Sequence, residues 1–475
     1  MVIRFFLLII GLSVGGVSLG QTMVLRRCDT SAILSECQRL VMRAADRGYP
    51  FAAVSADSAV MVGRHRAHVY CNLSLSQKYN IENVYIIGGE GLAPYYVYAT
   101  AGIAPGAVYN ESRIRSAARR LRASGVVIVS RDAEVEFHPG GMADVYMYLD
   151  SRRANAIGAA IALCRDNMDG KYFVTGNALA ELRNNFGHGE RFYFAWNGYD
   201  RRSQMLDVQI RVPYVFSTPI VPDVKVNVTR ADSLCLTAQI EAALGFALSP
   251  DVEIKAVADM RRMMISDKGG DAVDNNGDSR TALYGIGVDY SLWMFKNSRI
   301  KIESMATGGT RRSGGEAGAV AEISSVITGE IPLCTWMRYE GVWTGRQMYF
   351  AHLPDIHECI PIGGVGSLRG FLANELRATG LVSMSSTMRI LLSEGFSVQL
   401  FYDQAFYRCK ARQTISARNT LNGIAYSDSP SGFGTGIGIR SGAASVDIGW
   451  AIGLERGKIR PMKDAKTLII MRLDF

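Results

Sequence analysis

The sequence predicts a β-rich protein: a sixteen-stranded antiparallel transmembrane β-barrel preceded by small α/β domains. Three observations carry this. Residues 155–475 show no helical period and break into runs of roughly ten residues in which apolar and polar side chains alternate. The chain opens with an export signal, after which no stretch approaches a spanning helix. It closes on a strand-like run ending in phenylalanine. Composition fits a folded chain: of 475 residues, 48% are hydrophobic and 20% charged. A formal charge of +8 allows anionic lipid or acidic partners, as does any mildly basic surface, and nothing points to nucleic acid.

In MVIRFFLLIIGLSVGGVSLGQ, Arg4 supplies the positive start and Phe5–Val17 an apolar core broken by glycines. Ser18, Leu19 and Gly20 are small or apolar residues before a cut at Gln21, so residues 1–20 read as a secretory signal peptide. A membrane anchor would need about 20 apolar residues. No cysteine stands at the cut, so a lipid-anchored form has no support.

Two small α/β units follow, residues 21–79 and 80–152, the second clearer than the first. The first has a helix from about Ser31 to Arg47, a stop at Gly48-Tyr49-Pro50, and strands over Phe51–Met61 and His65–Leu75. The second opens with a strand at Ile81–Gly88. Asn110 then caps a helix whose apolar face is Ile114, Ala117, Ala118 and Leu121, with Gly125 as its stop. Strands follow over Val126–Phe137 and Ala143–Leu149. The helix carries Arg113, Arg115, Arg119, Arg120 and Arg122, which suit either a solvated face or an anionic contact.

From 155 onward the period is two. Leu206, Val208, Ile210 and Val212 oppose Met205, Asp207, Gln209 and Arg211; Phe192, Phe194 and Trp196 oppose Arg191, Tyr193, Ala195 and Asn197. A soluble β-sandwich also alternates. An even strand count and connections that alternate long (263–280, 344–380, 406–431) with short (215–220, 328–329, 393–394) favour a membrane barrel. Backbone crossing lipid must satisfy its own hydrogen bonds, which drives such strands to closure. In the final TLIIMRLDF, Ile469, Met471, Leu473 and Phe475 share one face.

The remaining feature is GGVGSLRGFLANE, residues 363–375. It has neither phosphate-loop nor dinucleotide-loop spacing. The signal peptide, the strand–helix–helix–strand–strand order, segments such as RGYPFAAV, the sixteen strands and SLRGF together resemble the BamA/TamA family of outer-membrane assembly barrels, a superfamily that includes the translocators of two-partner secretion. The resemblance implies that the N-terminal units are POTRA (polypeptide-transport-associated) domains in the periplasm. It implies that Leu368, Arg369, Gly370 and Phe371 tip the sixth outer loop and fold back inside the barrel to meet an acid on the thirteenth strand. Strand counting makes that strand Gly395–Tyr407, with Phe396, Val398, Leu400 and Tyr402 toward lipid and Ser397, Gln399, Phe401 and Asp403 toward the lumen. Asp403 is then the partner of Arg369, and Gly363, Gly364, Gly366 and Gly370 let the loop turn tightly. The terminal face ending in Phe475 resembles an outer-membrane sorting signal. Two departures stand out: at most two N-terminal units fit, and strand twelve, Leu381–Leu392, has no acid.

The implied function is insertion of barrel proteins into the outer membrane or translocation of polypeptides across it, by a non-enzyme without a cofactor. Its partners would be the bilayer, unfolded outer-membrane or secreted clients, and periplasmic accessory proteins. A dedicated two-partner translocator, a passive channel and a structural surface antigen remain open. DAVDNNGD, Asp271–Asp278, fails as a calcium loop: aligned on Gly277, it has Ala272 first and Leu283 twelfth. Six scattered histidines, His188 and His352 among them, support no hydrolase without a nucleophile elbow. The eight cysteines show no Cys-x-x-Cys and no zinc spacing. Cys359 and Cys409 fall in neighbouring long outer loops, where export permits a disulfide, though sequence does not fix connectivity.

Overall fold

The computed structural model describes residues 18–25, 30–61, 67–152, 154–165, 172–198, 203–231, 235–265, 278–294, 298–364, 367–372, 374–416, 419–462 and 465–474. The chain divides into two compact units, Met1–Ser151 and Arg152–Phe475. Residues 1–17, most of the signal-peptide assignment, lie outside the described residues; its last three, Ser18–Gly20, open the first strand.

In the first unit, β1 (Ser18–Leu25), β3 (Ala67–Ser74) and β2 (Ala53–Met61) form an antiparallel sheet in the order β1-β3-β2, preceded in sequence between β1 and β2 by α1 (Thr30–Ala45). Ala44, Ala52 and Leu73 form a small core there. A strand–helix–helix–strand–strand run follows: β4 (Asn80–Gly88), α2 (Pro94–Ala101), α3 (Glu111–Ser124), β5 (Val127–His138) and β6 (Met142–Ser151). β6 lies between β4, parallel to it, and β5, antiparallel. Ile114, Ala117, Ala118 and Leu121 of α3 are buried, as are Val145, Met147 and Leu149 of β6. α2 has no apolar period in the sequence. Its PYYVYATA composition reads equally well as strand, and only Pro94 at its start and Gly102 beyond its end mark it as a helix.

Asn110 Oδ1 accepts from the Arg113 backbone N–H at 2.8 Å, while its Nδ2 donates to the Asp46 carbonyl at 2.8 Å. The Asp46 carboxylate in turn accepts from the backbone N–H and the hydroxyl of Ser112, both at 2.8 Å. The α3 N-terminus thus has a side-chain cap and a carboxylate beside its dipole. Asn110→Ala is expected to destabilise the helix by about 1 kcal/mol. The check is a downward shift in the urea midpoint of the helical circular-dichroism signal of the full chain in detergent; an unchanged midpoint would rule the cap unimportant. Of the helix arginines, Arg115 pairs with Glu111 at 2.5 Å, Arg120 donates to the Ala101 carbonyl at 3.3 Å, and Arg122 reaches Asp132 at 3.3 Å.

The second unit is a closed barrel. Its strands in order are β7 (Ala156–Arg165), β8 (Tyr172–Arg183), β9 (Arg191–Gly198), β10 (Gln204–Arg211), β11 (Ile220–Ala231), β12 (Cys235–Ser249), β13 (Val252–Ile265), β14 (Ser279–Trp293), β15 (Arg299–Ser313), β16 (Glu316–Pro332) and β17 (Met337–Phe350). A long connection carrying the short strands β18 (Ile360–Ile362) and β19 (Leu376–Ala378) leads to β20 (Gly380–Ser393). Then come β21 (Phe396–Ser416), β22 (Asn419–Asp428), β23 (Ser431–Ser441), β24 (Ala444–Glu455), β25 (Lys458–Ile459) and β26 (Lys466–Asp474). β22 and β23 follow one another along β21, and β25 and β26 along β24, so each couple is one broken stave. Among the described residues the barrel therefore has sixteen antiparallel staves, closed where β26 meets β7 over Ile469↔Ile161 to Asp474↔Ala156.

Alternation sends apolar side chains outward. On β12, Leu236, Ile240, Leu244, Phe246 and Leu248 are exposed; on β14, Tyr284, Ile286, Val288, Tyr290 and Leu292 are. A water-facing surface does not expose such bands, whereas a lipid-facing one requires them. The inward face carries linked charges. Arg183 and Arg191 flank Glu181 at 2.5 and 2.6 Å, Arg211 joins Asp223 and Glu253 at 3.2 and 2.5 Å, and Glu322 takes Arg261 and Arg346 at 2.8 and 2.5 Å.

Three connections differ from the sequence reading. Residues 344–350 are strand, because β17 runs to Phe350 and the long connection starts at 351. Residues 328–329 lie within β16, and the chain reverses at 333–336; Gly329 is a strand glycine, not a turn. Residues 406–431 are not an open loop, because β21 continues to Ser416 and β22 starts at Asn419. Cys409 consequently sits on a strand. Residues 271–277 of the calcium-loop segment are outside the described residues, and Leu283 is buried on β14.

Candidate functional site: an inward-folded loop tied to the barrel wall

The connection 351–379 joins β17 to β20 and is the sixth on its rim, counted from the β7–β8 connection. β18 and β19 pair over Ile360↔Ala378 to Ile362↔Leu376, drawing the two limbs together. Beyond them the chain folds into a tight turn, with a bridge between Gly364 and Leu368. Gly363 has φ +119°, and a Cβ there would fall 2.1 Å from the Leu372 carbonyl oxygen, so only glycine fits the crossing. Gly364 and Gly370 also have positive φ; Gly366 lies outside the described residues. Leu368 (0% exposed) and Phe371 are buried with Ile360, Ile362 and Ala378 of the loop and with Met348, Leu381, Ala405 and Tyr407 of the wall. The loop therefore shares an apolar core with the barrel instead of extending into solvent.

Arg369 is at its tip. Its Nη2 lies 2.5 Å from Asp403 Oδ1 and its Nε 2.8 Å from Asp403 Oδ2, a forked pair. The Arg369 backbone N–H also donates to Oδ2 at 2.8 Å, and the Ser385 hydroxyl to Oδ1 at 2.7 Å. Asp403 is fully buried, and all these donors face its carboxylate. The remaining guanidinium N–H groups reach Thr387 Oγ1 and Ser385 Oγ, each at 3.0 Å, and the guanidinium lies 4.0 Å from the centre of the Phe401 ring. Strand twelve, β20, lacks an acid and contributes two hydroxyls instead. Asp403, Phe401 and Ser397 are buried on β21 while Leu400 and Tyr402 are exposed, which fixes the inward parity of the acid.

Two further ties were not legible in the sequence. Glu358, in the turn before β18, pairs with Arg311 of β15 at 2.5 Å and accepts from the Ser279 hydroxyl at 2.5 Å. Glu375 pairs with Arg460 at 2.6 Å; Arg460 also holds Glu455 and stacks 4.1 Å from the Phe371 ring centre. The tip has a glycine seat as well. A Cβ at Gly432 on β23 would lie 1.8 Å from the Arg369 carbonyl oxygen, and one at Gly370 2.6 Å from the Ile452 carbonyl carbon of β24. The sequence signal for this seat is Gly432-x-Gly434-x-Gly436-x-Gly438, alternate glycines on one face of a strand, which mark a close backbone approach. At the chain's end, Ile469, Met471 and Leu473 lie on β26, paired with Ile161, Ala159 and Ile157 of β7; Phe475 is outside the described residues.

Fold and site together define an outer-membrane type of β-barrel whose long outer loop is packed into its own lumen. Among the described residues no helix is long and apolar enough to cross a membrane. No family model matches the chain, and no curated protein does. Solved structures are similar in fold. CdiB from Acinetobacter baumannii is 13% identical, with a TM-score of 0.61 over 94% of this chain and 82% of that one. CdiB from Escherichia coli is 12% identical, with a TM-score of 0.60 over 94% and 85%. BamA from Haemophilus ducreyi lacking POTRA domains 1-3 is 12% identical over 94% of each chain, with a TM-score of 0.44.

Proposed function

We propose that this protein is a polypeptide-handling barrel of the bacterial outer membrane, which inserts barrel clients into that membrane or passes polypeptides across it. The observation that carries the reading is the loop 351–379, seated inside the lumen and held at its tip by Arg369 on Asp403. A passive pore needs an open lumen, whereas a device that admits a chain on demand needs a plug on contacts that can be broken singly. The second unit offers a short seam as well, six residue pairs between β26 and β7 against ten between β7 and β8. Among the described residues it is the shortest pairing between neighbouring staves, and so the least to open for a client strand. In the first unit the order β4-β6-β5 leaves two edge strands, and in the POTRA reading these capture extended segments by β-augmentation. Ile469, Met471 and Leu473, with Phe475, serve in this reading as the barrel's own assembly signal.

The likeness in fold to the two CdiB structures favours a second reading, a translocator dedicated to one secreted partner. Depletion followed by quantitative outer-membrane and secretome proteomics separates them. A general fall in barrel proteins is the result expected for an insertase, and loss of one secreted protein that for a dedicated translocator. Unchanged levels of both would overturn the proposal and leave a structural surface protein.

A further inference from the structure

Two cysteines meet beside this loop. Cys359 (3% exposed) and Cys409 (2% exposed) are packed in one buried cluster with Ala411, covered by Ile356 and Tyr426; both carry free thiols in the structure, that of Cys359 donating to the Asp355 carbonyl at 3.6 Å. Their backbones are held near one another by contacts that do not involve sulfur. Asp355 bridges Arg412 in parallel, the Arg412 N–H donates to the Pro354 carbonyl at 2.9 Å, and Asp355 anchors the turn Ile356–Glu358 that delivers Cys359. Cys409 shares the inward face of β21 with Asp403, Ala405 and Tyr407, all buried. It stands six residues beyond Asp403, about 20 Å along the strand. A thiol is a weak hydrogen-bonding group, so a thiol pair adds little at such a point unless the sulfurs are joined. The compartment an exported chain crosses is oxidising.

We infer that Cys359 and Cys409 form a disulfide that staples the base of the inward-folded loop to β21, leaving only the tip to be held by Arg369 and Asp403. The oxidant is a disulfide-bearing thiol oxidase of the periplasmic class. One cysteine thiolate attacks the oxidant's disulfide, giving a mixed disulfide and releasing one oxidant thiolate. The other cysteine then attacks the sulfur of the first, forming the Cys359–Cys409 bond and expelling the second oxidant thiolate. The two electrons end on the oxidant, now a dithiol, and the two cysteine protons are taken up by its thiolates or by water. Both sulfurs, one on the loop and one on β21, are buried once the loop is seated, so the exchange precedes seating. Cys235, the buried cysteine of β12, is not in this cluster and contacts the Thr237 hydroxyl at 3.9 Å. This inference does not depend on the transport reading.

The test is peptide mapping of the full chain taken from outer membranes. Thiols are blocked with N-ethylmaleimide in denaturant and the protein is digested without reduction. The expected result is a cross-linked peptide pair joining 359 to 409, two hydrogens lighter than its parts, as the major form, with both residues labelled only after reduction. Maleimide on both residues in the unreduced sample would overturn the inference, as would either residue joined to Cys235. A C359S chain provides the control: Cys409 should then carry the label, and a Cys409 still cross-linked would count against the pairing even if C359S assembles poorly.

Discussion

Replacing Gly432 by valine is expected to drive the loop tip out of the barrel. An ideal Cβ at this position lies 1.8 Å from the Arg369 carbonyl oxygen and 2.9 Å from its carbonyl carbon. Both obstacles are backbone, so no side chain can rotate away. β23 is laddered on both sides, Gly432 to Asp403 on β21 and Gly432 to Gly453 on β24, so the strand has little freedom to shift. The loop must yield instead. Overpacking ordinarily costs about 1–3 kcal/mol, and a clash with backbone belongs at or above the upper end. Gly345→Ala on β17 is the control, because a Cβ there meets nothing within 4 Å. Limited proteolysis of barrels in membrane vesicles should show cleavage within 351–379 in Gly432→Val and none beyond the parent level in Gly345→Ala. Full protection in Gly432→Val would mean that the tip is not seated on β23.

Arg369→Ala should release the same tip by a different route. Asp403 has four donors, three of them from Arg369, and the substitution removes the two of its side chain. With Asp403 fully buried and the Arg369 side chain 13% exposed, the carboxylate is left largely uncompensated, at a cost of about 3–5 kcal/mol. Arg369→Lys should recover only part of this. An ammonium keeps the charge but cannot fork onto both carboxylate oxygens, reach Ser385 and Thr387 and stack on Phe401 at once. The Glu358–Arg311 and Glu375–Arg460 ties survive either change, so release should be local, with cleavage sites concentrated near 367–374 and the barrel still heat-modifiable on gels.

The barrel was legible because lipid on one side and a polar lumen on the other impose a period of two on every strand, and the period survives any irregularity in the connections. Parity along β21 places Asp403 inward by counting alone. The connections carry no such period. That is why Gly329 reads as a turn although β16 runs through it, and why the extension of β21 and β22 past the belt reads as a loop. The Glu358–Arg311 and Glu375–Arg460 pairs each join a loop residue to a position 47 and 85 residues away, and no local pattern encodes such meetings. α2 lacked a signal because its tyrosines and valine favour strand as an isolated segment; packing against α3 and the sheet decides its state. The glycine seat was readable in 432–438, but alternate glycines gain meaning only once something is known to press against them.

If Arg369 and Asp403 act as one unit holding the loop inside the lumen, a double-mutant cycle shows it. Arg369→Ala, Asp403→Asn and the double variant are compared with the parent by the rate of protease cleavage in 351–379 on assembled barrels. If the residues are coupled, each single change raises cleavage strongly and the double change adds much less than the sum of the two in free energy, with a coupling well above the 0.3–0.5 kcal/mol or so within which independent sites add. Full additivity, or single variants whose loop stays as protected as the parent, would contradict the account.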